Sequence, residues 1–226
     1  MRTTKPFITF VILASSLALA FAANARAGII SPFIRAGVDF SKLNGIQNIG
    51  NNSISWKDKL SGWDAGYFAE AGITFLGSHT LAVEAGYMKA SSSLADDESG
   101  IKSREQIPLL LNYRHTFNLG PASLYLGLSA GMMSDTASWQ KELKDQVGSW
   151  GKFKSANWVA LYGATAGVGL KLGKHWGLDI GVRALAVNEK EYQAGALSSA
   201  ETSSYSIGSA KIYIRPNVRL AISRQW

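Results

Sequence analysis

Three histidines, His79, His115 and His175, are the only side chains that could move protons near neutral pH, because the chain holds no cysteine. Each stands in or near a short break: Gly77-Ser78-His79, Gly173-Lys174-His175, and Asn118-Leu119-Gly120-Pro121 shortly after His115. A hydrolase needs a base beside a nucleophile and an acid to orient that base. His115 is followed by Thr116 and Phe117, so no His-x-Ser spacing is present there. The histidines read as turn residues, and no catalytic residue is expected. Asp96-Asp97-Glu98 lacks the Asp-x-Asp-x-Asp-Gly spacing of a calcium loop and reads as a solvated tip. No metal site and no cofactor is expected. The pattern with most content is a set of charges that alternate with aliphatic residues: Arg35, Asp39, Glu70, Glu84, Arg104, Arg114, Lys171, Asp179, Arg183, Arg215 and Arg219.

Alternation at period two needs strands to position it. In the last segment Ile212, Ile214, Pro216, Val218, Leu220 and Ile222 share one parity, and Lys211, Tyr213, Arg215, Asn217, Arg219 and Ser223 the other. Similar two-faced stretches cover 31–41, 63–76, 80–90, 104–117, 122–133, 157–172 and 176–187. Soluble strands average about 5–6 residues, so eight long ones of this kind point to a membrane. The connections near 77–79, 118–121 and 173–175 are tight, whereas 42–62, 91–103, 134–156 and 188–206 are long and polar. Strict alternation of short and long connections gives an all-β, eight-stranded antiparallel up-and-down transmembrane β-barrel, with four long loops on one side.

Aromatics fall at both ends of these strands. Phe33, Phe75, Phe117, Trp176 and Trp226 lie towards the turns, and Phe40, Trp63, Tyr67, Tyr87, Trp158 and Tyr162 towards the long loops. Two such levels are expected of the girdles that flank an aliphatic band. The charged parity then faces a lumen about wide enough to be filled by side chains, where charges must pair or stay wet. A structural plug is the expectation, and a permeation path the alternative. Counted from the turns, Glu84 and Arg114 stand at similar heights and are the first candidate pair. Arg35 and Glu70 are the second.

Composition bounds the rest. The 226 residues are 46% hydrophobic and 17% charged, with 23 Gly and 5 Pro. No apolar run after residue 27 reaches the 18 or so residues of a membrane helix, which excludes a helical bundle. Aromatic content of 11% and a net charge of +7 exclude a disordered chain. Residues 1–27 read as a cleaved signal peptide: Arg2 and Lys5 lead an apolar stretch, Phe7 to Ala23, and Ala25-Arg26-Ala27 is the cleavage site. The barrel domain is then 28–226. Its net charge drops to +4, because Arg2, Lys5 and Arg26 leave with the signal and no acid does. Export and this low charge argue against a nucleic-acid partner.

The pattern resembles the outer-membrane β-barrel family of small eight-stranded OmpA/OmpX-type, porin-like proteins. The segment Ile107-Pro-Leu-Leu-Leu-Asn-Tyr-Arg, its turn and Leu124-Tyr-Leu-Gly-Leu-Ser-Ala-Gly look like that family's central hairpin. Tyr162-Gly-Ala-Thr-Ala-Gly-Val-Gly-Leu looks like one of its later strands, and the terminal Trp226 resembles the signal read by the barrel-assembly machinery. The departures are Trp for the commoner terminal Phe, and Arg224 where that signal usually carries an apolar residue. The resemblance implies a monomer in the outer membrane of a Gram-negative-type cell after Sec-type export, in contact with outer-membrane lipid, lipopolysaccharide and the assembly machinery. It implies a structural or surface-interaction role, with a surface ligand taken by the long loops. The alternatives are a narrow channel for small solutes or ions and an outer-leaflet lipid-modifying enzyme. In the third loop, Trp139, Leu143, Val147 and Trp150 have near-helical spacing, with Lys141, Lys144, Lys152 and Lys154 beside them. They read as an amphipathic turn on lipid phosphates or a host surface, or as aromatics packed over the barrel mouth.

Overall fold

The computed structural model describes residues 30–42, 63–91, 101–139, 154–189, 192–194, 205–207 and 211–226. The signal reading on 1–27, the run Asp96-Asp97-Glu98 and the loop residues Lys141, Leu143, Lys144, Val147, Trp150 and Lys152 lie outside the described residues.

The strands are β1 (Ile30–Lys42), β2 (Trp63–Phe75), β3 (His79–Ser91), β4 (Ile101–Leu119), β5 (Ala122–Trp139), β6 (Lys154–Lys171), β7 (Trp176–Glu189), β8 (Tyr192–Ala194), β9 (Tyr205–Ile207) and β10 (Lys211–Gln225). Eight of them close a barrel in the order β1-β10-β7-β6-β5-β4-β3-β2, and β8 and β9 form a separate two-stranded sheet. All neighbours in the barrel are antiparallel. Closure leaves no sheet edge, the condition for a sheet to stand in hydrocarbon. Thirteen residues at about 3.3 Å each, tilted, still span the apolar layer of a bilayer. β4, β5 and β6 have 19, 18 and 18 residues.

Three tight turns join strands on one side, called the turn side below. Between β2 and β3, Leu76 and Gly77 both have positive φ, 52° and 70°, the pair that a type I′ hairpin requires. Between β4 and β5, Gly120 has φ 76° and Pro121 follows it, which suits a type II′ turn. Glycine accepts these angles because it has no Cβ.

Stagger sets the geometry inside. Following cross-strand partners from Ser31 leads through Thr74, Thr80, Arg114, Gly127, Thr165, Arg183 and Asn217 back to β1 at Ser41, ten residues along. A shear of that size on eight strands means a strand tilt of about 35–45°. The β3–β4 ladder skips Gly86 and Tyr87, opposite Pro108 and Ile107. Pro108 has no amide hydrogen to donate, and its ring fills the space over Gly86, where a Cβ would come within 2.9 Å of it.

The outer face carries exposed Leu81, Val83, Leu111, Leu124, Leu126, Leu128, Val168, Ile180, Val182, Val218, Leu220 and Ile222. So continuous an apolar belt around a closed sheet has no partner in water and is solvated by lipid. The outward aromatics Phe40, Trp63, Tyr67, Phe117, Trp158, Tyr162, Trp176 and Trp226 are exposed at the two ends of the strands; Phe75 and Tyr87 are part-exposed on the same outer face. Phe33 does not join them. It is buried, because it shares the parity of Arg35 and Asp39, and a turn-end position alone does not decide the face.

Several strand ends differ from the sequence reading, two of them most usefully. β5 runs to Trp139 and β4 starts at Ile101, so the second and third loops are shorter than expected. Ser134-Asp135-Thr136 is polar and reads as loop on composition, but pairing with β4 on one side and β6 on the other holds it as strand. The fourth loop, read as long and polar, holds the paired strands β8 and β9.

Candidate functional site

Inward positions converge on a lumen with two kinds of filling. Towards the turn side and the middle lies a network of charges. Arg35 and Glu70 are cross-strand partners on β1 and β2, and their side chains form an ion pair. Arg114 on β4 reaches the other oxygen of Glu70 at 2.7 Å. Arg183 on β7 donates to Asp39 of β1 and to Glu84 of β3, both at 2.8 Å. Arg219 on β10 lies 3.0 Å from Glu84 and 3.7 Å from Asp39. Asn112 donates to Glu84 at 2.8 Å, Ser129 donates to Asn112 at 2.6 Å, and Asn217 donates to Asp39 at 3.0 Å. Asp179, part-buried on β7, lies on the same inward face, its carboxylate 3.1 Å from where a Cβ of Gly169 would stand. Four guanidiniums thus stand among four carboxylates, a near-neutral set that low dielectric demands.

Aromatic plates complete it. The Arg219 guanidinium lies 3.6 Å from the centre of the Phe68 ring, and Arg35 lies 5.7 Å from the same ring. Arg114 is 5.6 Å from both Phe33 and Tyr125. Such contacts let an arginine shed water on its faces while its edge serves a carboxylate. Tyr125 crosses towards β6 and β7, where the partners Gly167 and Gly181 offer bare backbone. A Cβ at either would meet the Tyr125 hydroxyl at 2.4 or 2.3 Å.

The loop-side half is different. Leu110, Met133, Val159, Leu161, Leu185 and Val187 form a buried apolar cluster on the inward faces of β4 to β7. Beside it Arg104 forms an ion pair with Asp135, its Nε 3.0 Å from both carboxylate oxygens. Gln106 also donates to Asp135, at 3.2 Å, and accepts from Arg215.

These placements correct the sequence reading in part. Glu84 and Arg114 do not pair. In the register Glu84 faces Leu110, and Arg114 faces Thr80; equal counts from two turns ignore that β4 extends further on the turn side than β3. Lys171, read as inward, is exposed at the turn end of β6. Asp135, Phe68 and the apolar cluster were missed. The signal for Asp135 was continued alternation beyond Met133. For the cluster it was the loss of alternation in Leu109-Leu110-Leu111 and Ala184-Leu185-Ala186-Val187.

The histidines sit on the turn side. His79 Nδ1 lies 2.7 Å from the Tyr113 hydroxyl, and its ring is 4.7 Å from that of His115, which meets Phe117 edge-on at 4.6 Å. His175 Nδ1 lies 3.1 Å from the Gln225 carbonyl oxygen. Trp226 donates its amide to Pro32 at 3.1 Å, which ties the end of the chain to β1.

With this geometry the fold can be placed among known ones. It is that of the small eight-stranded outer-membrane β-barrels. OprG from Pseudomonas aeruginosa superposes with a TM-score of 0.59 at 12% identity, over 87% of this chain and 95% of that one. Neisserial surface protein A gives 0.51 at 12% identity, over 88% and 100%. AlkL, solved in lipid bilayers, gives 0.50 at 13%, over 89% and 93%. No family model matches the sequence, and no curated protein matches it. Likeness at this identity concerns the fold.

Proposed function

We propose that this chain is a monomeric, structural and surface-binding barrel of the bacterial outer membrane, closed to solutes, with its long loops outside the cell. Outer-membrane lipid and lipopolysaccharide surround the belt, and the barrel-assembly machinery inserts it. The Arg183–Glu84 ion pair carries this reading. β7 and β3 lie four places apart in a ring of eight strands, so this 2.8 Å contact spans the whole bore. The Arg215–Gln106 hydrogen bond joins β10 to β4, which are also opposite. With the apolar cluster beside them, these bridges favour a plug over a channel. No catalytic role is assigned to the histidines, since His79 and His175 are engaged by a phenol and a backbone carbonyl on the side away from the loops.

Planar-bilayer recording of the refolded protein tests this. A silent bilayer after confirmed insertion is the expected result. Steady current from the unmutated protein would overturn the plug and favour the narrow channel.

A further inference from the structure

We propose that Arg224, held against Trp176 and Trp226, binds the phosphate of an anionic phospholipid in the leaflet on the turn side; this rests on reading the barrel as membrane-spanning. Arg224 is the residue that departs from the expected pattern. It has the outward parity of Leu220 and Ile222, where the belt is otherwise apolar, and it is exposed. Its guanidinium lies 5.4 Å from the centre of the Trp176 ring and 5.2 Å from that of Trp226. Both indoles are exposed on the outer face, at the level where such rings meet headgroups.

The holder is built from backbone. Trp176 is the cross-strand partner of Arg224. The amide of Trp226 donates to Pro32 at 3.1 Å, and that of Gln225 donates to His175 at 2.8 Å. An arginine stacked on aromatic faces keeps its N–H donors in its own plane, and that fork matches phosphate oxygens. Among the described residues no carboxylate pairs with Arg224. A cation at a lipid-facing strand end without an internal anion finds its partner at the headgroups. Lys171 at the turn end of β6 and Lys174 on the β6–β7 connection, both exposed, add positive charge at this rim and make an anionic headgroup the better occupant.

The test uses the full chain folded in a maltoside detergent, which carries no phosphate of its own. Native mass spectrometry with phosphatidylglycerol or phosphatidylcholine of identical chains reads the bound lipid. The unmutated protein should retain phosphatidylglycerol in preference. Arg224→Gln should cut that retention about tenfold, the worth of one charge-assisted contact, and Lys89→Gln, on the loop side, should leave it unchanged. Excess inorganic phosphate should not displace the lipid; displacement would assign the site to free phosphate and overturn the proposal. Equal retention by Arg224→Gln, or equal retention of both lipids, would overturn it too. In the unmutated protein, titrated phosphatidylglycerol should shift the indole N–H resonances of Trp176 and Trp226. Shifts confined to the other tryptophans would count against the site. Failure of the underlying reading looks different: the protein would stay soluble without detergent and bind neither lipid.

Discussion

Glu84 is the residue on which the lumen most depends. It serves Arg183 at 2.8 Å, Arg219 at 3.0 Å and Asn112 at 2.8 Å, and it is buried. Its loss leaves Arg183 and Arg219 to share the single carboxylate of Asp39, in a lumen where the Nε of each already lacks a hydrogen bond. Removing one side of such a buried pair costs about 3–5 kcal/mol, so Glu84→Ala should destabilise the barrel by that much, read as a lower urea midpoint of unfolding from vesicles. Glu105→Ala is the comparison. Its partner Lys89 is 3.2 Å away and 47% exposed, and surface pairs contribute about 0–1 kcal/mol. Equal midpoints for the two variants would show that Glu84 is not the hub described.

Among the elements, β7 and β10 each bring an arginine of the lumen network to Glu84. Gly181 of β7 leaves room for the Tyr125 hydroxyl, 2.3 Å from where a Cβ would stand. Gly181→Ala must displace that phenol and with it one plate of Arg114. Overpacking of this kind typically costs about 1–3 kcal/mol, and unfolding midpoints should fall accordingly. A second substitution, Tyr125→Phe, should recover part of the loss by removing the clashing oxygen; no recovery would place the strain elsewhere. β10 closes the barrel against β1, and its end is fastened by the Trp226 amide on Pro32. Deleting Trp226 should reduce the amount of protein inserted in cells while refolding in detergent is less affected. Surface labelling of whole cells measures this, and unchanged abundance would argue that closure does not need the terminal residue.

For the whole molecule, closure predicts resistance. Every strand of the barrel is paired on both sides, so unfolding has no edge from which to start and must break ladders in concert. The folded protein should run in SDS gels at one position unheated and at another after boiling, with a strand-dominated circular dichroism spectrum before heating. A single position under both conditions would contradict a closed membrane barrel. Glu84→Ala, if it remains folded, should keep the heat-dependent shift, because the network fills the barrel without forming its wall.

Much of the architecture was legible in the amino-acid order. The eight strands, their faces and the three tight turns follow from period-two alternation and from Gly and Pro at the breaks, all of which are local. That charges would fill the bore was legible for the same reason, since parity alone sends Arg35, Glu70, Glu84, Arg183 and Arg219 inward. Which charge meets which was another matter. Arg35 and Glu70 are direct register partners and could be read from adjacent strands, but Glu84 finds Arg183 across the bore from residues 99 positions later in the chain. Asp135 depended on pairing that kept a polar segment in strand, and Phe33 on the face its strand turns inward. The partners of Glu84, the plates under Arg219 and the apolar cluster above them are set by shear and closure. Those quantities belong to the ring of strands as a whole, and no single strand's sequence contains them.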